Sequence, residues 1–460
     1  MSFPPYAEYK DSGVAWLGAV PGHWEVTRLK LACEVFPSNV DKKSVEGEAA
    51  VRLCNYTNVY YHERITDDFP FMEATATDDQ IARFTLKAGD TIITKDSETP
   101  DDIARSAYVP ETLEGVICGY HLSMVRPREV ACGAFIKRYF DTPSARAYFH
   151  VSANGLTRVG LGQYALDNAP IALPPLAEQE AIAGFLDREV GKIDGLVAEQ
   201  ERLIALLKEK RQTVISHAVT KGLNASAPLK DSGIEWLGQI PEHWEVKPLK
   251  YGISFIESGV SVNAIDVPAS DDEIGVLKTS AVYTGQFRPE ENKAVIAEER
   301  DRASCPVKAG CLIVSRMNTP DLVGATGLVI EDAPNLFLPD RLWQVHFSEL
   351  EPAFTHLWTQ SPFYRSQVQV ACAGTSSSMQ NLSLDEFKSF LCPFPPTDEQ
   401  AQIAVRVVEV MSGYEKLMTE AQSAITLLQE RRAALISAAV TGKIDVRAAA
   451  LDSTAELETA

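Results

Sequence analysis

Two segments of this 460-residue chain are near-copies of each other: residues 10–30 read KDSGVAWLGAVPGHWEVTRLK and residues 230–250 read KDSGIEWLGQIPEHWEVKPLK. Fourteen of the 21 aligned positions are identical, whereas unrelated segments of ordinary composition share about one or two. A second echo closes each half, IALLKEKRQTVISHAVT at 204–220 answering ITLLQERRAALISAAVT at 425–441. Between the echoes the halves barely agree, apart from Lys87-Ala88-Gly89 against Lys308-Ala309-Gly310. A tandem copy with fixed ends and free middles folds as one scaffold used twice, carrying two different bodies.

The length exceeds what a single core normally organises. A hydrophobic content of 45% and a charged content of 23% are those of a soluble globular protein. Residues 1–9 carry no basic-then-apolar leader and no apolar run reaches about 18 residues, so the expected location is the cytoplasm, without a membrane. The eight cysteines (Cys33, Cys54, Cys118, Cys132, Cys305, Cys311, Cys372, Cys392) form no C-x-x-C pair, which argues against zinc sites and a disulfide framework. Of the net charge of −20, residues 1–175 contribute −6 and residues 223–395 contribute −9. Neither body has the basic excess of an autonomous nucleic-acid binder, which leaves room for a chain that reads DNA while a partner supplies phosphate contacts.

Leu173-Pro174-Pro175 and Phe394-Pro395-Pro396 each precede an acidic turn, Glu178-Gln179 and Glu399-Gln400, and then a long proline-free stretch. Prolines ahead of an acidic first turn signal a helix start. Stepping by four and three from Ile182 collects Leu186, Ile193, Leu196, Leu203, Leu207 and Val214; from Ile403 it collects Val407, Val410, Tyr414, Leu417, Leu428 and Leu435. Two such seams at matched offset predict a coiled coil, the alternative being two amphipathic helices on separate cores. The first helix, from about Leu176 to Val219, would span roughly 65 Å at 1.5 Å per residue. If the second returns beside it, the pair is antiparallel, and the bodies stand at opposite ends of a rod related by an approximate two-fold axis. Two heads that far apart could face DNA sites up to about two turns apart.

The bodies carry β-rich runs, such as 50–61, 90–94, 122–125, 311–315 and 342–347, punctuated by Gly and Pro. The expected fold class is therefore α+β: two mixed, strand-rich bodies separated by two long helices packed as an antiparallel coiled coil. Residues 448–460 are Ala-rich and acidic and read as a disordered tail.

The opening DSG-x-x-WLG-x-[VI]-P-x-HWEV, the exit [LF]-PP-x-x-EQ-x-x-I and the helix end [LI]-I-S-x-AVT, each present twice and in order, resemble the specificity subunit of type I restriction-modification systems. The resemblance covers nearly the whole chain apart from the tail. It implies two target recognition domains (1–175 and 223–395), each reading one half of a bipartite sequence in double-stranded DNA, and two conserved helical regions (176–222 and 396–447). It implies that the helices dock two modification (methyltransferase) subunits, that restriction subunits join them, and that the chain carries no cofactor, with S-adenosylmethionine, ATP and Mg on the partners.

In that setting the loops after the glycine turns become candidate reading elements: Lys95, Ser97, Thr99 and Arg105 in the first body, and Arg316, Asn318 and Thr319 in the second. Arg and Lys suit guanine, and Asn suits adenine. The neighbouring acids Asp96, Glu98, Asp101 and Asp102 would equally suit a solvated loop. A second candidate surface precedes each helix: Asn154, Thr157, Arg158, Gln163 and Tyr164, then Thr375, Ser376, Ser377, Ser378, Gln380 and Asn381, segments that would equally suit a flexible connector. Trp16, His23, Trp24, Trp236, His243 and Trp244 are identical in both halves, and residues that distinguish two half-sites should differ, so these read as frame, with indole N–H groups satisfied locally.

Catalytic equipment is missing from the sequence. No Asn-Pro-Pro-aromatic motif of an adenine methyltransferase and no Walker A loop are present, and no Glu-x-Lys stands behind Pro100-Asp101-Asp102. The expectation is a non-catalytic specificity subunit. A coiled-coil adaptor that does not read DNA is the alternative from another class.

Overall fold

The computed structural model describes residues 3–372 and 378–447. The expected tail at 448–460 and the candidates Thr375, Ser376 and Ser377 lie outside the described residues. The chain divides into two compact units, Met1–Glu201 with Ser423–Ala460, and Arg202–Gln422. Each unit therefore contains one body, one copy of the fixed opening and a part of each long helix.

In the first unit, strand β1 (Cys33–Pro37) is followed by the short helix α1 (Tyr56–Tyr60), then β2 (Thr91–Thr94), β3 (Asp96–Ser97), β4 (Ser106–Tyr108) and β5 (Leu122–Pro127). The main sheet has the order β1-β5-β2-β4, all antiparallel. A smaller sheet places Ala49–Cys54 between a parallel strand, Val116–Cys118, and an antiparallel one, Met72–Ala76. The β-rich run at 50–61 thus splits, with a strand to Cys54 and then α1. The cause is local: the Asn58 side-chain oxygen accepts from the Asn55 N–H at 2.8 Å, satisfying one of the donors that a helix start leaves open. Helix α2 (Gly133–Phe140), the ladder strand β6 (Val159–Gly160) and the long helix α3 (Leu176–Lys221) complete this half.

The second unit repeats the plan with β7 (Ile253–Ser258), β8 (Leu312–Ser315), β9 (Met317–Asn318), β10 (Thr326–Leu328) and β11 (Leu342–Phe347). The sheet order β7-β11-β8-β10 is the same. Helix α4 (Pro352–Thr359), strand β12 (Gln380–Asn381) and helix α5 (Thr397–Val440) follow. The turn into the central strand is pinned differently in the two copies. Asp90, almost fully buried, takes a two-toothed grip from Arg126 at 2.8 and 2.7 Å. At the corresponding place the Cys311 sulfur lies 3.2 Å from His346 Nδ1, and His346 Nε2 lies 2.8 Å from Glu257. One is an ion pair on the strand and the other a thiol–imidazole contact, so this Cys–His–Glu cluster reads as the second body's version of a structural pin.

The glutamate-glutamine pairs explain why the fixed opening recurs. Glu178, in the first turn of α3, accepts from the Trp24 indole at 3.0 Å and the Tyr6 hydroxyl at 2.7 Å, and pairs with His23 Nε2 at 2.8 Å. Glu399 in α5 receives Trp244 at 3.1 Å and His243 at 2.7 Å. The neighbouring glutamines tie the helices to the bodies: Gln179 accepts from Cys132 N and donates to Pro174 O, and Gln400 accepts from Glu351 N and donates to Pro395 O. The Trp24 and Trp244 indole donors are satisfied not locally, as expected from sequence, but by carboxylates about 155 residues away, because the fold brings the helix start against the opening segment. Burying an indole stabilises by several kcal/mol only if its N–H keeps an acceptor, and these carboxylates provide it.

The same openings fix helix direction. In the first unit, Gly442, just past the end of α5, adopts φ +70°, and a Cβ there would lie 2.3 Å from Pro21 and 3.2 Å from the Trp24 ring. Further along, Arg432 of α5 pairs with Asp194 of α3 at 2.9 Å. Going up α3 from Glu178 to Asp194 therefore means going down α5, so the segments are antiparallel. In the second unit Gly222, just past the end of α3, sits against Trp244 and Glu399 at the start of α5. Ile215, Ala218 and Val219 share a core cluster there with Ile403, Val407 and Met411.

The phase of the seam differs from the heptad stepping. Ile182, Leu186, Ile193, Ile403 and Val407 are buried, and Leu207, Val214, Val410, Tyr414, Leu428 and Leu435 are half-buried. Leu196, Leu203 and Leu417 are exposed. Near the start of each helix the inward position after Leu186 is Val190, and after Val407 it is Met411. This extra four-residue step packs that turn into the body's core and moves every second later seam position on by one residue. Val197, Ile204, Met418 and Ile425 turn inward instead.

Candidate nucleic-acid interface

In each body the two polar segments singled out in sequence are hydrogen-bonded to each other. In the first, β3 pairs antiparallel with β6, Ser97 opposite Val159 and Asp96 opposite Gly160. In the second, β9 pairs with β12, Met317 opposite Asn381 and Asn318 opposite Gln380. The loop after the apolar strand and the segment before the long helix are therefore one surface element per body, a separate two-stranded ladder at the matching place in each.

On the first body this ladder borders a cleft of about 610 Å³ lined by Lys42, Tyr56, Thr57, Tyr60, Tyr61, Asp96, Ser97, Glu98, Thr99, Asp102, His121 and Arg158. Tyr56 and Tyr60, one helical turn apart on α1, stack with ring centroids 5.4 Å apart. The Tyr60 hydroxyl donates to Asp102, which raises its pKa. Asp102 also holds Arg105 at 2.7 Å, and the guanidinium lies over the Tyr60 ring. Asp96 faces His121 at 2.9 Å. Lys95 sets its ammonium 4.5 Å from the centre of the Tyr120 ring.

The candidates divide into those the fold holds and those it presents. Ser97 is buried, its hydroxyl accepting from Thr99 N. Asn318 is buried too, its amide donating to Tyr283 and Ser315 while its oxygen accepts from Thr319 N. An adenine contact from Asn318 would break this set, so its place is in the frame. Gln163 donates to Val35 O at 2.7 Å and to Asp167. Arg316 stands over the Trp343 ring, 5.8 Å from its centre. Thr99, Arg158, Tyr164, Thr319, Ser378 and Asn381 are exposed, and Gln380 is half-buried. Asn154 and Thr157 are exposed beside Arg158. The aromatic face of α1 was not legible in sequence, because its residues sit in a run with strand composition.

Behind the cleft, Glu63 connects the body to the helices. It accepts from Arg138 at 3.1 Å, pairs with Lys137 at 3.1 Å and with Arg432 of α5, while Arg138 reaches Asp187 of α3 at 2.9 Å. Burial alone would raise the Glu63 carboxyl, but Lys137, Arg138 and Arg432 overcome it and hold it at about 2. The second body fills the corresponding joint without that set of ion pairs, although Arg211, the counterpart of Arg432, remains. His356, at the α4 position matching Lys137, has Nε2 at 2.8 Å from Gly285 O, and burial, with the Arg211 charge also lowering it, pushes its pKa down to about 4. Gln286 donates to Glu415, and Gln212 donates to Gln360 O.

Among the described residues no cluster of His, Cys, Asp and Glu is arranged to hold a metal ion, and no helix is long and apolar enough to cross a membrane.

No family model matches the chain. The specificity subunit of the type I restriction enzyme EcoKI from Escherichia coli (strain K12) is 23% identical over 363 residues, covering 77% of this chain and 75% of that protein. The putative MjaX specificity subunit from Methanocaldococcus jannaschii is 22% identical over 444 residues, 94% of this chain and 96% of that one. A solved chain described under "Structural basis underlying complex assembly and conformational transition of the type I R-M system" has a TM-score of 0.66 at 16% identity, covering 92% of this chain and 99% of its own. In sequence over most of its length the chain is similar to specificity subunits of type I restriction enzymes, and in fold over nearly all of it to a chain of a type I R-M system.

Proposed function

We infer that the chain is the non-catalytic DNA-specificity subunit of a type I restriction-modification complex, each body reading one half of a bipartite target. The observation that carries this reading is the pair of ladders, β3 with β6 and β9 with β12, set at the same place on a repeated scaffold but bearing different side chains. A constant frame with a variable reading edge is what two different half-sites require.

The net charge of −20 makes unassisted binding to DNA weak, because the phosphate term scales with the cations a protein presents. The partners that supply it are two modification subunits, docked on the long helices. Leu196 and Leu417 occupy matching positions in the repeat and are each 47% exposed; Leu206 and Leu427 also match and are exposed. Exposed leucines repeated in this way suit two copies of one subunit. Restriction subunits join the same assembly, and S-adenosylmethionine, ATP and magnesium belong to the partners.

The test is a binding assay with the assembled complex on DNA libraries at several salt concentrations. A bipartite sequence bound well above the salt-dependent background supports the reading. Binding without sequence preference would make the chain an adaptor.

A further inference from the structure

Within the first body's cleft the acidic side chains are not equivalent. Asp96 is engaged by His121, and Asp102 by Tyr60 and Arg105. Glu98, directly after β3, is exposed and has no hydrogen-bond or ion-pair partner among the described residues. It shares the cleft with two cations, Lys42 and Arg158, and with the stacked rings of Tyr56 and Tyr60.

We propose that Glu98 reads cytosine, accepting a hydrogen bond from its N4 amino group in the major groove. The proposal rests on the first body being a DNA-reading domain. A carboxylate is repelled by phosphate oxygens, by the N7 and O6 acceptors of guanine and by the O4 acceptor of thymine. Only the exocyclic amino groups of cytosine and adenine offer it a donor there. Adenine sets the N7 acceptor beside that donor, so the second carboxylate oxygen would meet a lone pair; cytosine has no such neighbour. Lys42 and Arg158 can take the flanking phosphates, which a carboxylate cannot. The corresponding position in the second body is Thr319, a neutral residue, so this contact belongs to one half-site alone.

The experiment compares wild type, Glu98→Ala and Glu98→Gln, each assembled with the modification subunits, on duplexes carrying every base at each target position, with adenine methylation rate as readout. The wild-type target contains a cytosine in one half-site that the alanine variant no longer prefers, discrimination against the other bases falling about tenfold or more. In the glutamine variant preference moves toward adenine, whose N6 and N7 suit an amide. Methylation at the other half-site, unchanged in both variants, reports intact folding and assembly. A wild-type bipartite target that both variants read unaltered overturns the proposal and leaves the specificity function standing. A wild-type complex with no bipartite target overturns both.

Discussion

The indole of Trp24 donates to the carboxylate of Glu178 across 154 residues of sequence, at 3.0 Å and with both side chains buried. Its counterpart, Trp244 on Glu399, is the same bond with a more exposed carboxylate, 26% against 7%. Glu178→Ala would leave the Trp24 and Tyr6 donors without an acceptor and should cost about 3–5 kcal/mol. Glu399→Ala should cost clearly less, since water reaches that site. Denaturant unfolding of the two variants checks the order; equal losses would mean that burial of the carboxylate is not what matters.

Glu63 ties the first body to both long helices, through Arg138 to Asp187 and directly to Arg432. Because its carboxyl is partly exposed, solvent screening limits the gain, and Glu63→Gln should cost about 1–3 kcal/mol. The folded pKa lies below the ordinary value of 4.5. Its stabilisation is therefore present above about 4.5 and is lost as pH falls toward 2. Acid unfolding of the glutamine variant should lack this component.

His356 gives a pH dependence nearer neutrality. Its pKa drops from 6.5 to about 4 on burial, so it is uncharged in the fold and donates to Gly285 O. The contribution is complete above 6.5 and declines as pH falls toward 4, by up to about 3 kcal/mol. His356→Gln keeps a donor for Gly285 without a titrating ring. Stability measured from pH 7.5 to 4.5 should fall less steeply in that variant than in wild type.

Removing one heptad from each long helix, residues 200–206 and the matching 421–427, shortens both by about 10 Å. That is about three base pairs. The spacer in the methylated target should contract by that amount while both half-sites stay the same. An active deletion variant with an unchanged spacer would show that helix length does not set it.

The duplication, both long helices and the body strands at 49–54, 91–94, 122–127, 312–315 and 342–347 could be read from sequence because repeats and periodicity are local signals. Helix α3 begins at Leu176, where the prolines and Glu178 place it. What could not be read depends on contacts between distant residues. The extra step at Val190 and Met411 that exposes Leu196, Leu203 and Leu417 comes from packing each helix start into its body. The joining of the two candidate surfaces rests on the pairing of residues 96–97 with 159–160. The Tyr56–Tyr60 stack was hidden because β-branched and aromatic composition outweighed the cap at Asn55. Ser97 and Asn318 had suitable chemistry for base reading, but the fold engages them internally.

Independent reading of one half-site by each body is what the proposed function requires. It is tested most directly by exchanging residues 31–170 for the same region of a related subunit and mapping methylated adenines with the assembled complex. The expected target has one half-site changed and the other as it was. A target altered in both halves, or methylation without sequence preference, would contradict it.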